Sequence, residues 1–155
     1  MTGKISSLHI SPESNAPCQA MDVLELHVGK GIHGDHHYRD NGSVPETELT
    51  LIAAEEIEAF NLRTGLHLQA ADLRRNVLTQ GLDLNALVGR RFRIGDAEAE
   101  GLELCEPCRP LGQRLATESV SASTIVRELT KRGGLRARIL HDGLVRPGDA
   151  IIPVS

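Results

Sequence analysis

Phe92-Arg93-Ile94-Gly95-Asp96-Ala97-Glu98-Ala99-Glu100-Gly101-Leu102-Glu103-Leu104 is the stretch whose reading decides the fold class. Phe92 to Ile94 and Ala97 to Leu104 largely alternate apolar and polar residues, the period of a strand with one buried face. Gly95-Asp96 between them predicts a tight hairpin. Strand signals continue outward in both directions. Lys4 to Ile10 alternates and stops at Ser11-Pro12, and Val23 to Val28 and Arg75 to Gln80 read as further strands. Arg136 to Leu140 and Ala150 to Val154 close the chain, joined through Asp142-Gly143 and Pro147-Gly148. Two segments carry helical spacing instead. Ala53 to Thr64 sets Ile57 and Phe60 on one face, places Glu55, Glu56 and Glu58 early and stops at Gly65. Ser121 to Arg132 has Ser121 as its cap, Ile125, Val126 and Leu129 as its apolar face and Gly133 as its stop. Asp83 caps a short turn through Leu87. Strands predominate, so the expected fold is mainly β: a barrel with two or three peripheral helices, as one domain over residues 1–155.

Composition excludes several classes. Lys plus Arg is 17 and Asp plus Glu is 21, a net charge of −4, which argues against nucleic acid as a partner. Aromatic residues are Phe60, Phe92 and Tyr38, too few for a base-stacking platform. The longest apolar runs, such as Leu51-Ile52-Ala53-Ala54, fall far short of the about 20 residues that span a bilayer, so no membrane partner is expected. The N-terminus carries no basic-then-apolar leader, and a cytoplasmic location is expected. Cys18, Cys105 and Cys108 are an odd set, expected as thiols or ligands rather than a disulfide framework.

Three places could carry chemistry. Gly31-Ile32-His33-Gly34-Asp35-His36-His37 gathers three of the seven histidines in one Gly-rich loop. It reads either as a solvated turn or as a site where backbone N–H groups and imidazoles meet a ligand. Cys105-Glu106-Pro107-Cys108 is a C-x-x-C, a redox pair or half of a zinc site. Cys105 ends an alternating strand and is expected as a buried small hydrophobe. Cys108 lies beyond the strand beside Arg109, and a neighbouring cation favours the thiolate that a nucleophile or metal ligand needs. A zinc module built on Cys105, Cys108 and the loop histidines remains an alternative with poor ligand spacing. Arg74-Arg75-Asn76 is either a basic strand edge or a phosphate clamp, with Thr79 as a further neutral donor. Cys18 reads as an ordinary, partly exposed thiol.

Taken in order, these pieces resemble the MOSC domain family, named from the C-terminal domain of molybdenum-cofactor sulfurases. The resemblance runs through Gly31 to His36, Glu48-Leu49-Thr50-Leu51-Ile52 and Arg74-Arg75-Asn76-Val77. It continues with Gly81 to Leu84, Leu87-Val88-Gly89, Phe92 to Ala97, Glu106-Pro107-Cys108 and Gly143 to Asp149. It implies a MOSC-type β-barrel whose cleft holds the molybdenum cofactor (molybdopterin), with Cys108 as the metal ligand. Arg74, Arg75, Asn76, Thr79 and Arg109 would anchor the cofactor, the Gly34-Asp35 loop would line the cleft, and His33 and His36 would serve as catalytic proton donors. Relatives include amidoxime-reducing and hydroxylaminopurine-detoxifying proteins, so the implied activity is reduction of small N-hydroxylated substrates. Without a fused iron–sulfur module, electrons are expected from an external reductase or ferredoxin-like protein. The neutral Ala16-Pro17-Cys18-Gln19 departs from relatives that carry basic residues there. The alternative implied function is a non-catalytic carrier of sulfur, as a Cys108 persulfide, or of the cofactor. Pyridoxal phosphate chemistry belongs to another domain of the sulfurases.

Overall fold

The hairpin read at Gly95-Asp96 is present in the computed structural model, which describes residues 1–154. Strands β1 (Gly3–Ile10), β5 (Leu49–Ala53), β6 (Val77–Gln80), β7 (Arg91–Ile94), β8 (Ala97–Leu104), β9 (Leu135–His141) and β11 (Ala150–Pro153) form a closed seven-strand barrel. Around the ring they run β1-β6-β5-β9-β8-β7-β11, and β11 returns to β1 through Gly3↔Ile151 and Lys4↔Ala150. All pairs are antiparallel except β5–β6. β2 (Gln19–Met21) extends the β1 edge, while β3 (Leu24–His27), β4 (Gly31–Ile32) and β10 (Gly143–Val145) form a separate small sheet.

Residue alternation fills the barrel. Ile5, Leu8 and Ile10 of β1 all point inward although their spacing is not uniformly even. The register shift between Ile5 and Ser7 explains this, because an extra residue in one strand resets which side chains face the core. Phe92 and Ile94 meet Ala97, Ala99, Ala137 and Ile139 in the same interior. A second apolar cluster lies outside the barrel wall, where Ile52 packs against Ile57, Phe60, Leu73, Ile125 and Leu129.

The parallel pair needs a crossover, and α1 (Ala54–Thr64) with the 3-10 turn Ala70–Leu73 supplies it. Gly65 ends α1 at φ +77°, a left-handed conformation that glycine adopts without penalty. Two further helices, α2 (Arg109–Leu115) and α3 (Ala122–Leu129), pack together through Gly112, where a Cβ would lie 2.7 Å from the Ala122 carbonyl oxygen. Ser121 caps α3 by accepting from the Thr124 N–H, as expected. The helix ends at Leu129 rather than Arg132. Lys131 turns to φ +63°, and its N–H goes to the Glu106 carboxylate at 3.2 Å. No helix of the described residues is long and apolar enough to cross a membrane.

Candidate functional site

The strand directions gather chemistry at one end of the barrel. There β1 ends and β5 and β6 begin, and the segment after β8 and Arg136 near the start of β9 reach the same cleft. The segments at these ends line a cleft of about 460 Å³ that includes Ser11, Asp35, His36, Arg75, Cys108 and Arg136. Residues from 11 to 136 therefore converge because of strand order, not sequence proximity.

Cys108 stands at the N-cap of α2 and is exposed to solvent. Cys105 is buried beneath it, 1% exposed, and burial raises its thiol pKa against the opposing charges of Arg75 and Arg136. Arg75 lies within electrostatic reach of both thiols. Its Nε donates to the Gly133 carbonyl at 2.9 Å and one terminal nitrogen donates to the Leu73 carbonyl at 2.8 Å. Among the described residues it forms no ion pair with a carboxylate. Burial pushes this guanidinium below its ordinary range, the expected effect of taking a cation partly out of water. Arg114 on α2 and Arg136 on β9 add two more cations to the cleft wall. Arg136 lies across from Thr50 in the β5–β9 register and 3.8 Å from Glu103.

The other members of the Arg-Arg-Asn segment line the cleft but have internal work. Arg74 takes a left-handed conformation at φ +59°, and its fork donates to the Ala16 carbonyl at 2.6 Å and the Ser14 carbonyl at 2.9 Å. The neutral segment noted at Ala16 is thereby clasped by a cation from β6's approach. Asn76 is 8% exposed. Its Oδ1 accepts from the Thr50 N–H and hydroxyl, both at 3.0 Å, and its Nδ2 donates to the His9 carbonyl at 3.1 Å. This amide fastens β1, β5 and β6 together at the cleft floor.

Across from Cys108's helix, the Gly-rich loop is pinned to the end of β1. Asp35 accepts from the Ser11 N–H at 2.9 Å and the His37 N–H at 3.2 Å. Burial works against its carboxylate, but the hydrogen bonds from His37 and Ser11 and the charge of His36 outweigh it and hold the carboxyl below its ordinary range. His36 Nδ1 lies 2.8 Å from the Ser11 carbonyl. A carbonyl can only accept, so Nδ1 carries the hydrogen and Nε2 is left free. Gly34, at φ +89°, makes the left-handed turn that brings Asp35 to Ser11, but does not itself line the cleft.

Three further expected site residues lie elsewhere. His33 faces the small sheet, with Nδ1 3.4 Å from the Glu25 carboxylate and its ring edge-on to His27 and Tyr38. Thr79 is fully buried in the wall and donates to the Ile52 carbonyl at 3.4 Å. Arg109 lines a separate depression between α2 and α3 with Val126 and Arg127, because the helix turns it away from its neighbour Cys108. The zinc alternative loses its ligand set: among the described residues, the group close enough to share an ion is Asp35, His36 and His37, without either cysteine. Reading the sequence missed Ser11, Thr50, Arg114 and Arg136. Arg136 was legible only as an alternating strand residue, and Arg114 lies on a helix that the flanking prolines disguised.

The family profile of the MOSC domain matches residues 33–152. The chain belongs to the MOSC domain family. No curated protein sequence matches it. Among solved structures, the YUAD protein from Bacillus subtilis is similar at 24% identity, over 97% of this chain and 94% of that one, with a TM-score of 0.84. YiiM from Geobacillus stearothermophilus is similar at 15% identity, over 99% of this chain and 75% of that one, at a TM-score of 0.75. YiiM from Escherichia coli is similar at 19% identity, over 98% and 70%, at 0.67. These likenesses establish the shared MOSC fold. MOSC domains are associated with the molybdenum cofactor in general. The donor set of this cleft suits such a group, with a soft, exposed thiol for a redox metal and guanidinium forks for phosphate oxygens.

Proposed function

We propose that this MOSC domain binds the molybdenum cofactor in the cleft and reduces small N-hydroxylated compounds. The observation that carries the reading is the pairing of solvent-exposed Cys108 with Arg75, a partly buried guanidinium that no carboxylate neutralises among the described residues. Cys108 Sγ is the metal ligand, and Arg75, Arg114 and Arg136 present cationic donors to the cofactor's phosphate. Arg74 and Asn76 support them from the cleft wall and floor. When bound, the cofactor supplies the two-electron chemistry that removes oxygen from an N–OH group. Two electrons and two protons enter, and an amine or amidine and water leave. His36 Nε2 carries a proton to the substrate, its ring held in place by the Ser11 carbonyl on Nδ1. Electrons come from a separate reductase or ferredoxin-like protein.

Exposure of Cys108 also suits a carrier that hands over sulfur as a persulfide without turnover. Protein from a cofactor-competent host should hold roughly one molybdenum per chain, as a single thiolate site implies. Protein from a cofactor-deficient host should hold none. Cys108→Ser should lose both metal and reduction of a hydroxylamine by chemically reduced donors. A Cys108→Ser protein that keeps both defeats the ligand assignment. A Cys108 persulfide in holoprotein that shows no turnover replaces the enzyme reading with the carrier.

A further inference from the structure

The cleft wall across from the Cys108 helix carries a second set of donor atoms. Asp35, His36 and His37 all line it. One carboxylate oxygen and one nitrogen from each ring lie within 4.8 Å of one another. Asp35 Oδ2 is 3.5 Å from His37 Nδ1, and the two imidazole centroids are 3.9 Å apart. Donors that share a tetrahedral ion at about 2.0–2.1 Å stand about 3.3 Å from one another, so side-chain movements of about 1 Å close this set on an ion.

The charge pattern points the same way. The Asp35 side chain is 7% exposed. Arg75, Arg114 and Arg136 line the same cleft, yet among the described residues no Lys or Arg pairs with Asp35; its neighbours are the two imidazoles. A carboxylate this far out of water is ordinarily matched by a fixed cation or a metal ion, and imidazole is a preferred ligand of zinc-class ions. The surroundings also have the form of an outer ligand shell. The Ser11 N–H donates to Asp35 Oδ1 at 2.9 Å, and His36 Nδ1 donates to the Ser11 carbonyl at 2.8 Å. A backbone carbonyl on one ring nitrogen fixes the tautomer and leaves the other, Nε2, with the lone pair that a metal needs.

We propose that Asp35, His36 and His37 form an open, three-donor site for a divalent transition-metal ion of the zinc class. The exposed His37 ring gives the ion a way in from solvent. Three protein donors leave a fourth position for water, as in sites that do more than brace a fold. Neither cysteine takes part, so the inference does not depend on the cofactor reading. The ion occupies the His36 nitrogen from which the proposed reduction draws its proton, so loading and turnover compete.

Co²⁺ is the probe, because its visible absorption reports donor type where zinc is silent. Tag-free protein from a cofactor-deficient host should bind one Co²⁺ per chain. The spectrum should show nitrogen and oxygen donors without a thiolate charge-transfer band, and paramagnetic broadening in amide-resolved NMR should centre on Gly34 to His37. His37→Ala, which removes an exposed ring and leaves the fold intact, should weaken binding at least about ten-fold. His33→Ala and Cys108→Ser should leave it unchanged. The proposal is overturned if no stoichiometric Co²⁺ binds, if a thiolate band appears and is lost in Cys108→Ser, or if His37→Ala binds Co²⁺ as tightly as the native chain.

Discussion

Gly133→Ala tests how closely the barrel wall and the cleft are joined. A Cβ on Gly133 would lie 2.3 Å from the Cys105 carbonyl oxygen. That neighbour is backbone, so relief requires about 1 Å of main-chain movement rather than a rotamer change. Two hydrogen bonds feel such a movement: Arg75 Nε to the Gly133 carbonyl, at 2.9 Å, and the Cys105 N–H to the Gly134 carbonyl, at 2.8 Å. Overpacking costs about 1–3 kcal/mol, and weakening one or two hydrogen bonds adds about 1 kcal/mol each. The expected loss is about 2–5 kcal/mol, or roughly 4–20 °C in melting temperature for a chain of this size. Urea denaturation and thermal melting followed by circular dichroism measure it. Gly29→Ala is the comparison: nothing lies within 4 Å of its Cβ, so it carries only the cost of a positive φ, about 1 kcal/mol. If Gly133→Ala melts within a degree or two of the native protein, or no lower than Gly29→Ala, the close-approach argument fails. A shift in Cys108 alkylation rate, expected because Arg75 moves with the Gly133 carbonyl, gives a second reading on the cleft.

Arg75→Met should reduce molybdenum retention at least ten-fold, the loss of one charge-assisted phosphate contact, whereas Arg109→Ala should leave it unchanged; metal analysis with equal losses in both would refute the assignment of Arg75. Asp35 has its carboxyl held low in the folded chain, so its contribution to stability is present above the ordinary carboxylate range and is lost as pH falls through the lowered folded value. Amide exchange at Ser11 and His37 should therefore accelerate on acidification. Asp35→Asn sets a donor against the His37 N–H, so it should cost about 1–3 kcal/mol at neutral pH and flatten the acid dependence. An unchanged acid profile in that variant would assign the effect to another group.

The barrel was legible because its strands have one wet face. Lys4 to Ile10, Phe92 to Leu104 and the two closing strands alternate, and Asp83 and Ser121 carry side-chain caps where expected. β5 was illegible for the opposite reason. Leu49, Leu51, Ile52 and Ala53 are all buried, Leu49, Leu51 and Ala53 toward the barrel and Ile52 toward the outer helices, so no apolar–polar alternation marks the segment. α2 was hidden by Pro107 and Pro110, although a proline in the first turn lacks only an N–H that a helix does not use. At the cleft, Cys108, Arg75, Asp35 and His36 were readable from local motifs. His33 and Arg109 lie outside the cleft because adjacency along the chain says little about direction: a left-handed glycine follows His33, and the helix turns Arg109 away. Arg114 and Arg136 reach the cleft only through pairings distant in sequence, which no local signal contains.

Closure of the ring by β1 and β11 has a temporal consequence. A nascent chain cannot form the last ladder until Ile151 has left the ribosome, so β1 must wait with an unpaired edge while the rest is made. Ser11, Arg75, Cys108 and Arg136 belong to different strand ends and come together late. Such long-range topology folds slowly. During biosynthesis, any group destined for the cleft therefore meets either a nearly finished barrel or no pocket at all.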